Sequence, residues 1–235
     1  MLYKRVLIKV SGQILRSNTY LVDIDVVHQV ARHIVGAYNK GIEVAVVVGA
    51  GNLCRGSEMA EQGISRVTSD QVGMIATNMN ALVIQEVIES YGLDVCVMSA
   101  FTIGTFVDPL SVRVAKKSLS EGKVVIFSGG TGNAFVTTDS AASLRAVEIE
   151  ADLILKGTRV DGVYSADPEK DSSAKLYDEI TFQQAINQSL NIMDIESFRL
   201  CQSHSLPICV FNIKESGAVE SIVEGNSVGT MVRGE

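Results

Sequence analysis

Apolar segments alternate with amphipathic segments along most of this chain. Five short β-rich runs carry few polar residues: Lys4–Val10, Ile42–Gly49, Leu93–Met98, Lys123–Ser128 and Ala151–Lys156. Runs of this kind are typical of strands that are buried on both faces. Helical patterns lie between them, at Ile24–Asn39, Asp70–Tyr91, Pro109–Ser120 and Asp139–Glu150. This alternation predicts βαβ units and an α/β fold, with a largely parallel sheet covered on both faces.

The C-terminal part of the chain is less regular. Its pattern predicts helices near Thr181–Gln188 and Ile192–His204, a strand at Ile208–Asn212, a helix near Gly217–Val223 and a last strand at Thr230–Val232. We find no internal repeat, low-complexity run or linker. One domain that spans residues 1–235 is therefore expected.

The predicted helix Asp70–Tyr91 is apolar on more than one face. Its apolar residues are Val72, Met74, Ile75, Met79, Leu82, Val83, Ile84, Val87 and Ile88. Such a helix is either enclosed in its own core or covered by a neighbouring molecule. We favour a subunit interface, because helices of α/β proteins normally keep one solvated face.

Composition and charge exclude several classes of protein. The 235 residues are 46% hydrophobic and carry a net charge of −7, which argues against a general binder of nucleic acid or of a membrane surface. The cysteines form no CxxC pair and are interpreted as free thiols, and the histidines are too scattered for a metal cluster. The first strand starts near Tyr3, and no apolar run reaches the length of a membrane span. A cytoplasmic protein is expected.

Candidate chemistry lies in the loops that follow the strands, because ligands of parallel sheets bind beyond the carboxyl ends of the strands. Lys9 ends the first strand before Ser11 and Gly12. A lysine there either meets an anion or reaches solvent. The second strand is followed by the segment GAGNLCRG, in which glycine amides and Arg55 suit an oxyanion, although a plain glycine turn is the alternative. The chain contains neither GxGxxG nor GxxxxGK[ST].

Two further loops are rich in polar groups. The segment GGTGNAFVTTD supplies hydroxyls, amides and an aromatic ring, and it ends at Asp139, which a helix N-cap would explain equally well. The segment KGTRVDGVYSADP places Lys156 at the end of a strand, before Tyr164 and Asp167. These residues are suited to a purine and its ribose, whereas turn chemistry alone explains the Asp-Gly pair.

The order of these loops is more informative than any one of them. The segments YKRVLIKVSG, GAGNLCRG, SDQVGMIAT, GTGNAFVTTDSAA, EIEADLILKGTRVDGVYSADP and LPICVFN follow one another from Tyr3 to about Val232. In this order they resemble the bacterial UMP kinases of the amino-acid kinase superfamily. The resemblance implies a three-layer α/β/α sandwich that binds UMP towards its N-terminal half and ATP towards its C-terminal half.

Carried over by position, the resemblance also implies the site residues. The catalytic group would be Lys9, Arg55, Asp139 and Lys156, with Asp139 orienting the lysines. The ATP side would contain Lys9, Val10, Ser11, Gly12, Gly51, Arg55, Thr158, Tyr164 and Asp167. The UMP side would contain Ala50, Asp70, Thr131, Gly132, Asn133, Ala134, Phe135, Val136, Thr137 and Thr138. Mg²⁺ is expected with ATP, and no protein side chain is assigned to it.

The family pattern further implies a homohexamer that GTP activates and UTP inhibits. Three positions depart from that pattern: Gln13 replaces a glutamate, Ala50 a glycine and Ala134 a proline. Gln13 removes a charge beside the phosphates, and Ala134 leaves the acceptor loop less rigid. The alternatives are a superfamily kinase that acts on a carboxylate or carbamate, such as acetylglutamate kinase, and a non-catalytic nucleotide or oxyanion storage protein.

Overall fold

A nine-stranded sheet forms the centre of the fold in the computed structural model, which describes residues 2–168, 170, 171, 173–188, 190 and 192–234. Its strands are β1 (Arg5–Val10), β2 (Glu43–Val48), β3 (Val95–Ser99), β4 (Asp108–Pro109), β5 (Val124–Ser128), β6 (Leu153–Thr158), β7 (Glu179–Ile180), β8 (Ile208–Asn212) and β9 (Thr230–Val232). They lie in the order β4-β3-β5-β2-β1-β6-β8-β9-β7. Neighbouring strands are parallel, except for β8 and β9, which are antiparallel.

Helices connect these strands and cover both faces of the sheet. They are α1 (Ile24–Asn39), α2 (Gly56–Glu61), α3 (Arg66–Glu89), α4 (Val112–Ser120), α5 (Thr138–Glu148), α6 (Phe182–Asn187), α7 (Ile195–Ser203) and α8 (Ala218–Val223). A 3₁₀ turn (Gly12–Leu15) follows β1. Within the described part of the chain, no helix has both the length and the apolar character needed to cross a membrane.

Two apolar cores lie on opposite faces of the sheet, because successive side chains of a strand point to opposite faces. Ile8 of β1 packs in the core of α1, α3 and α8. Leu7 of the same strand packs in the core of α4, α5, α6 and α7. This arrangement confirms the predicted α/β class and the three-layer sandwich.

Most predicted elements are confirmed, but some boundaries were wrong. The third helix begins at Arg66 rather than Asp70, because Ser65 caps it by accepting a hydrogen bond from the Thr68 amide. Pro109 belongs to β4, so α4 begins later than predicted, and α7 begins after the capping residue Asp194. The short elements β4, β7 and α2 were not predicted, since two-residue strands show no alternation and the six residues of α2 carry no apolar periodicity.

Candidate active site

Two lysines lie side by side at the carboxyl edge of the sheet. Lys9 of β1 is directly opposite Lys156 of β6 in the parallel register. Both are nearly buried, with 7% and 8% of their surfaces exposed. Like charges in this position repel each other and lack the hydration they would have in water. They require a counter-ion.

Asp139, on the first turn of α5, is that counter-ion. Its Oδ1 lies 2.7 Å from the Nζ of Lys9, and its Oδ2 accepts a hydrogen bond of 2.9 Å from the Nζ of Lys156. Burial disfavours the charged carboxylate, but the attraction of the two ammonium groups outweighs it and holds the pKa of Asp139 below its ordinary value. Asp139 is not the N-cap of α5, because Thr137 occupies that position.

The surroundings of Lys156 disfavour its charged form. Burial lowers the pKa of Lys156, and the neighbouring charge of Lys9 acts in the same direction, while Asp139 opposes both. The backbone carbonyl of Ile192 accepts a second hydrogen bond from its Nζ. An anion arriving in front of these lysines would therefore relieve an excess of positive charge.

Asp194 supports this arrangement, and sequence reasoning did not identify it. It caps α7 through the Ser197 amide and accepts hydrogen bonds from the hydroxyls of Thr137 and Ser140 at the start of α5. Burial opposes its ionisation, but these donors hold the pKa of Asp194 below its ordinary value. The predicted helix Ile192–His204 contained Asp194, so the sequence pattern did not indicate that this residue caps the helix.

A cavity of about 660 Å³ opens in front of the two lysines. Six residues predicted for the ATP side or the catalytic group line it together: Lys9, Ser11, Lys156, Thr158, Tyr164 and Asp167. Its size and its mixture of apolar and polar walls suit a nucleotide. Gln13, which the family pattern implies beside the phosphates, lines it as well. Arg159 and Leu190 also line it, and the sequence had not indicated that they would.

The loops after β1 and β2 are packed against each other. A Cβ atom on Gly12 would lie 2.6 Å from the Gly51 nitrogen, so only glycine fits there. Gln13 lies beside this contact, and its buried Nε2 has no hydrogen-bond partner among the described residues. The side chain of Val10 is buried in the core of the opposite face, so this residue presents only its backbone to the carboxyl edge.

Polar side chains on the inner face of α3 hold the strand ends in place. The Nδ2 of Asn80 donates to the Gly49 carbonyl at 2.7 Å and to Oδ1 of Asn52 at 2.8 Å. The hydroxyl of Thr77 accepts a hydrogen bond of 2.7 Å from the Gly129 amide. These residues position the glycine loops, and in the sequence they are recognisable only as polar residues within an otherwise apolar helix.

Asp70 connects α3 to the predicted acceptor loop. Its Oδ2 accepts a hydrogen bond of 2.8 Å from the Phe135 amide, and both carboxylate oxygens lie 2.9 Å from the Nε of Arg66. Phe135 has a φ of 67°, and its ring lies under the Arg66 guanidinium, 5.9 Å from centroid to Cζ. The sequence had not indicated Arg66.

The remaining acceptor-side residues lie around this contact. Thr131 and Asn133 form a local turn, in which the Asn133 amide donates to the Thr131 hydroxyl at 3.3 Å. Gly132, Phe135, Val136 and Thr137 are exposed, whereas Ala134 and Thr138 are half-buried. Ala50 is buried beneath the loop after β2. The segment 131–138 is therefore an open surface loop that is tied to α3 at one point.

Arg55 lies apart from the two lysines. It occupies the N-cap position of α2, its side chain is 51% exposed, and its Nε lies 3.5 Å from Glu58. It does not line the cavity in front of Lys9 and Lys156. Its guanidinium therefore lies outside this cavity and forms an exposed ion pair with Glu58.

The described residues contain no group of three or more histidine, cysteine or acidic side chains that is arranged to hold a metal ion. Asp139 is the carboxylate at the lysine pair, and two ammonium groups already engage it. The donor set therefore fits a divalent cation that is carried by phosphate oxygens and water rather than by a protein cage.

Comparison with known proteins agrees with this geometry. Residues 4–212 match the model of the amino acid kinase family. A uridylate kinase of Ruthia magnifica is 45% identical over 233 residues, and the alignment covers 98% of each chain. Among solved structures, a UMP kinase from Bacillus anthracis superposes with a TM-score of 0.95 at 36% identity, covering 98% of this chain and 96% of the other. A UMP kinase from Ureaplasma parvum gives 0.92 at 35% identity, covering 98% and 99%.

Proposed function

Because the chain belongs to the amino acid kinase family and matches uridylate kinases over nearly its whole length, we propose that it is a UMP kinase. It transfers the γ-phosphoryl group of ATP to UMP and yields ADP and UDP. The observation that carries this proposal is the full-length match, together with a nucleotide-sized cavity lined by Lys9 and Lys156, the two lysines that Asp139 bridges.

The reaction needs positioning and positive charge rather than covalent help from the protein. A phosphate oxygen of UMP attacks the γ-phosphorus of ATP, the new P–O bond forms, and the bond to the β-phosphate oxygen breaks. No general base is required, because the UMP phosphate is already an anion. Lys9 and Lys156 face the oxygens of the transferred group, and Asp139 holds both ammonium groups in place.

The two substrates occupy the two halves of the carboxyl edge. ATP lies in the 660 Å³ cavity, with its phosphates towards Lys9 and Ser11 and its adenosine towards Tyr164 and Asp167. UMP lies on the acceptor side, between Arg55, Asp70 and the loop 131–138. Residues 1–235 thus act as one domain, with the acceptor side towards the N-terminal half.

Mg²⁺ accompanies ATP in this proposal. It would be held by the phosphate oxygens and would neutralise part of their charge. Lys9 and Lys156 orient the phosphates, and Asp139 keeps the two ammonium groups in position.

We also propose that the enzyme is a homo-oligomer, with a hexamer expected from the family resemblance. The side chains of Val72, Ile75, Met79 and Leu82 form a continuous exposed stripe on α3. Ile75 is 53% exposed and Met79 56%, so burial within the subunit does not account for them, and a second copy of α3 is the partner we assign. Activation by GTP, inhibition by UTP and a cytoplasmic location remain predictions.

A coupled ADP-release assay tests the function directly. We expect turnover with UMP, slower turnover with CMP and none with N-acetylglutamate. Turnover with acetylglutamate alone would identify a carboxylate kinase. Nucleotide binding without turnover of any acceptor would identify a non-catalytic binding protein.

A further inference from the structure

A second cavity, of about 470 Å³, lies beside the nucleotide cavity. Its walls come from the 3₁₀ turn after β1 and the loop that follows, from the first turns of α1, from Arg159 directly after β6, and from the start of the β8–α8 connection. Gln13, Ile14 and Arg159 line both cavities, and the catalytic lysines line only the first. An occupant of the second cavity therefore shares these three residues with the nucleotide cavity, but it meets Arg16 and Lys214 instead of the catalytic lysines.

The charge of this second cavity is opposite to that of the whole protein. The chain carries a net charge of −7, yet Arg16, Arg159 and Lys214 line the cavity and none of the described aspartates and glutamates does. None of the three cations forms an ion pair or a side-chain hydrogen bond with any residue that the structure describes. Asp23 is not among the lining residues, and its carboxylate caps α1 by accepting a hydrogen bond from the Asp25 amide. Three uncompensated cations in one concave site favour an anion.

The floor of the cavity is apolar. Val30 and Ile213 are buried there, and Val26 and Ile14 are partly buried beside them. Gln29 and Asn18 supply amide groups at the edge. A volume of this size, with cationic and apolar groups in its lining, lies within the range of small-molecule sites.

We propose that this cavity, the Arg16–Arg159–Lys214 cleft, is a separate binding site for a small phosphate-bearing molecule with an apolar portion. The phosphate meets the two arginines and Lys214, and the apolar portion packs on Val30 and Ile213. The site lies next to the nucleotide cavity but is not part of the catalytic cluster.

The probe for the test is pyrophosphate, titrated by calorimetry into enzyme that is saturated with UMP and a non-hydrolysable ATP analogue. Both substrate sites are then filled, so binding reports a further site. We expect one additional site per chain, whose affinity falls as NaCl is raised, because exposed charges are screened. The double variant Arg16→Met/Lys214→Met should lose about 10-fold or more in pyrophosphate affinity, since two charge-assisted contacts disappear.

The matched control is Arg32→Met/Arg199→Met, which removes the same charge from two exposed arginines outside the cleft. It should bind pyrophosphate as the unmodified enzyme does. The cleft variant should keep its turnover number with UMP and its affinity for the ATP analogue. The proposal is overturned if the saturated enzyme binds no pyrophosphate or if the control loses as much affinity as the cleft variant. It is also overturned if the cleft variant loses ATP-analogue affinity in parallel, because the cleft would then be an extension of the ATP site.

Discussion

At the scale of single residues, the central feature is a shared carboxylate between two buried lysines. Lys9 and Lys156 occupy paired positions in neighbouring strands, so their ammonium groups face the same side of the sheet. Asp139 neutralises only one of the two charges. The remaining positive charge is fixed in position before any ligand arrives. A preorganised positive charge of this kind stabilises the negative charge that develops on the transferred phosphoryl group in the transition state.

Lys9→Met should mainly lower turnover. Stabilisation that exists only in the transition state affects kcat, whereas stabilisation of the bound substrate affects KM. We expect kcat to fall roughly 10²–10⁴-fold, the scale for loss of a preorganised electrostatic contact, while UMP binding survives. The comparison variant Arg55→Ala, by contrast, should weaken UMP binding, by about 1.5–3 kcal/mol. Steady-state kinetics and calorimetric UMP titration measure both, and near-normal turnover of Lys9→Met would refute its assigned role.

Asp139→Asn should lower stability and change its dependence on pH. Removing one partner of a buried ion pair costs about 3–5 kcal/mol. The pKa of Asp139 is lowered in the folded protein, so its stabilising charge is complete above the ordinary aspartate pKa and is lost as pH falls through the folded value. Urea unfolding at neutral and acidic pH should show less acid destabilisation in Asp139→Asn than in the unmodified protein. Glu121→Gln, which removes an exposed ion pair, is the control and should leave both quantities nearly unchanged.

Asp70 should help to select ribonucleotides. A carboxylate acceptor is left unpaired when the hydroxyl that it binds is missing from the substrate. Asp70→Asn should therefore weaken UMP more than ATP, and the unmodified enzyme should prefer UMP over dUMP. Initial rates with the two nucleotides measure this preference. Equal rates with UMP and dUMP would mean that Asp70 serves only to hold Phe135 and Arg66.

At the scale of elements, α3 has three different surfaces. Its core face packs Ala81, Ile84 and Ile88 against the sheet. Its polar positions bind the backbone at the ends of β2 and β5. Its exposed stripe remains apolar. One helix therefore contributes to stability, to positioning of the glycine loops and to the proposed assembly.

Thr77→Val tests the positioning role of α3. The two side chains have nearly the same shape, but valine leaves the buried Gly129 amide without its acceptor, which costs about 1–3 kcal/mol. We expect a higher KM for UMP, because Gly129 begins the loop that leads to residues 131–138. Ile84→Val on the same helix is the control. It should cost about 0.5–1.5 kcal/mol of stability and leave the KM for UMP unchanged. An equal change of KM in both variants would show that Thr77 does not position the loop.

At the scale of the whole molecule, the exposed stripe of α3 predicts an oligomer. Light scattering at micromolar concentration should give a mass several times that of the 25.2 kDa chain. Ile75→Glu should dissociate the assembly before it unfolds the subunit. Ile195→Glu, at a similarly exposed isoleucine on α7, should leave the assembly intact. A single 25.2 kDa species for the unmodified protein would show that the stripe is not an interface.

Local pattern by itself determined the α/β class and the principal strands and helices. Long apolar runs and helical periodicity depend on neighbouring residues, so β1, β2, β5 and α1 were predicted close to their observed bounds. Glycines and lysines at the ends of predicted strands also indicated the carboxyl edge of the sheet as the site, because the carboxyl ends of parallel strands lie along the same edge.

Only the tertiary structure decided how these residues meet. The register of β1 against β6 places Lys9 opposite Lys156, and the crossover to α5 brings Asp139 between them. Asp194, Thr77 and Asn80 act through contacts with segments about 30 to 60 residues away. The Arg16–Arg159–Lys214 cleft is assembled from residues 13–18, 26–30, 159 and 213–214. No local sequence pattern encodes contacts between residues so far apart in the sequence, because these contacts depend on how the layers of the fold pack.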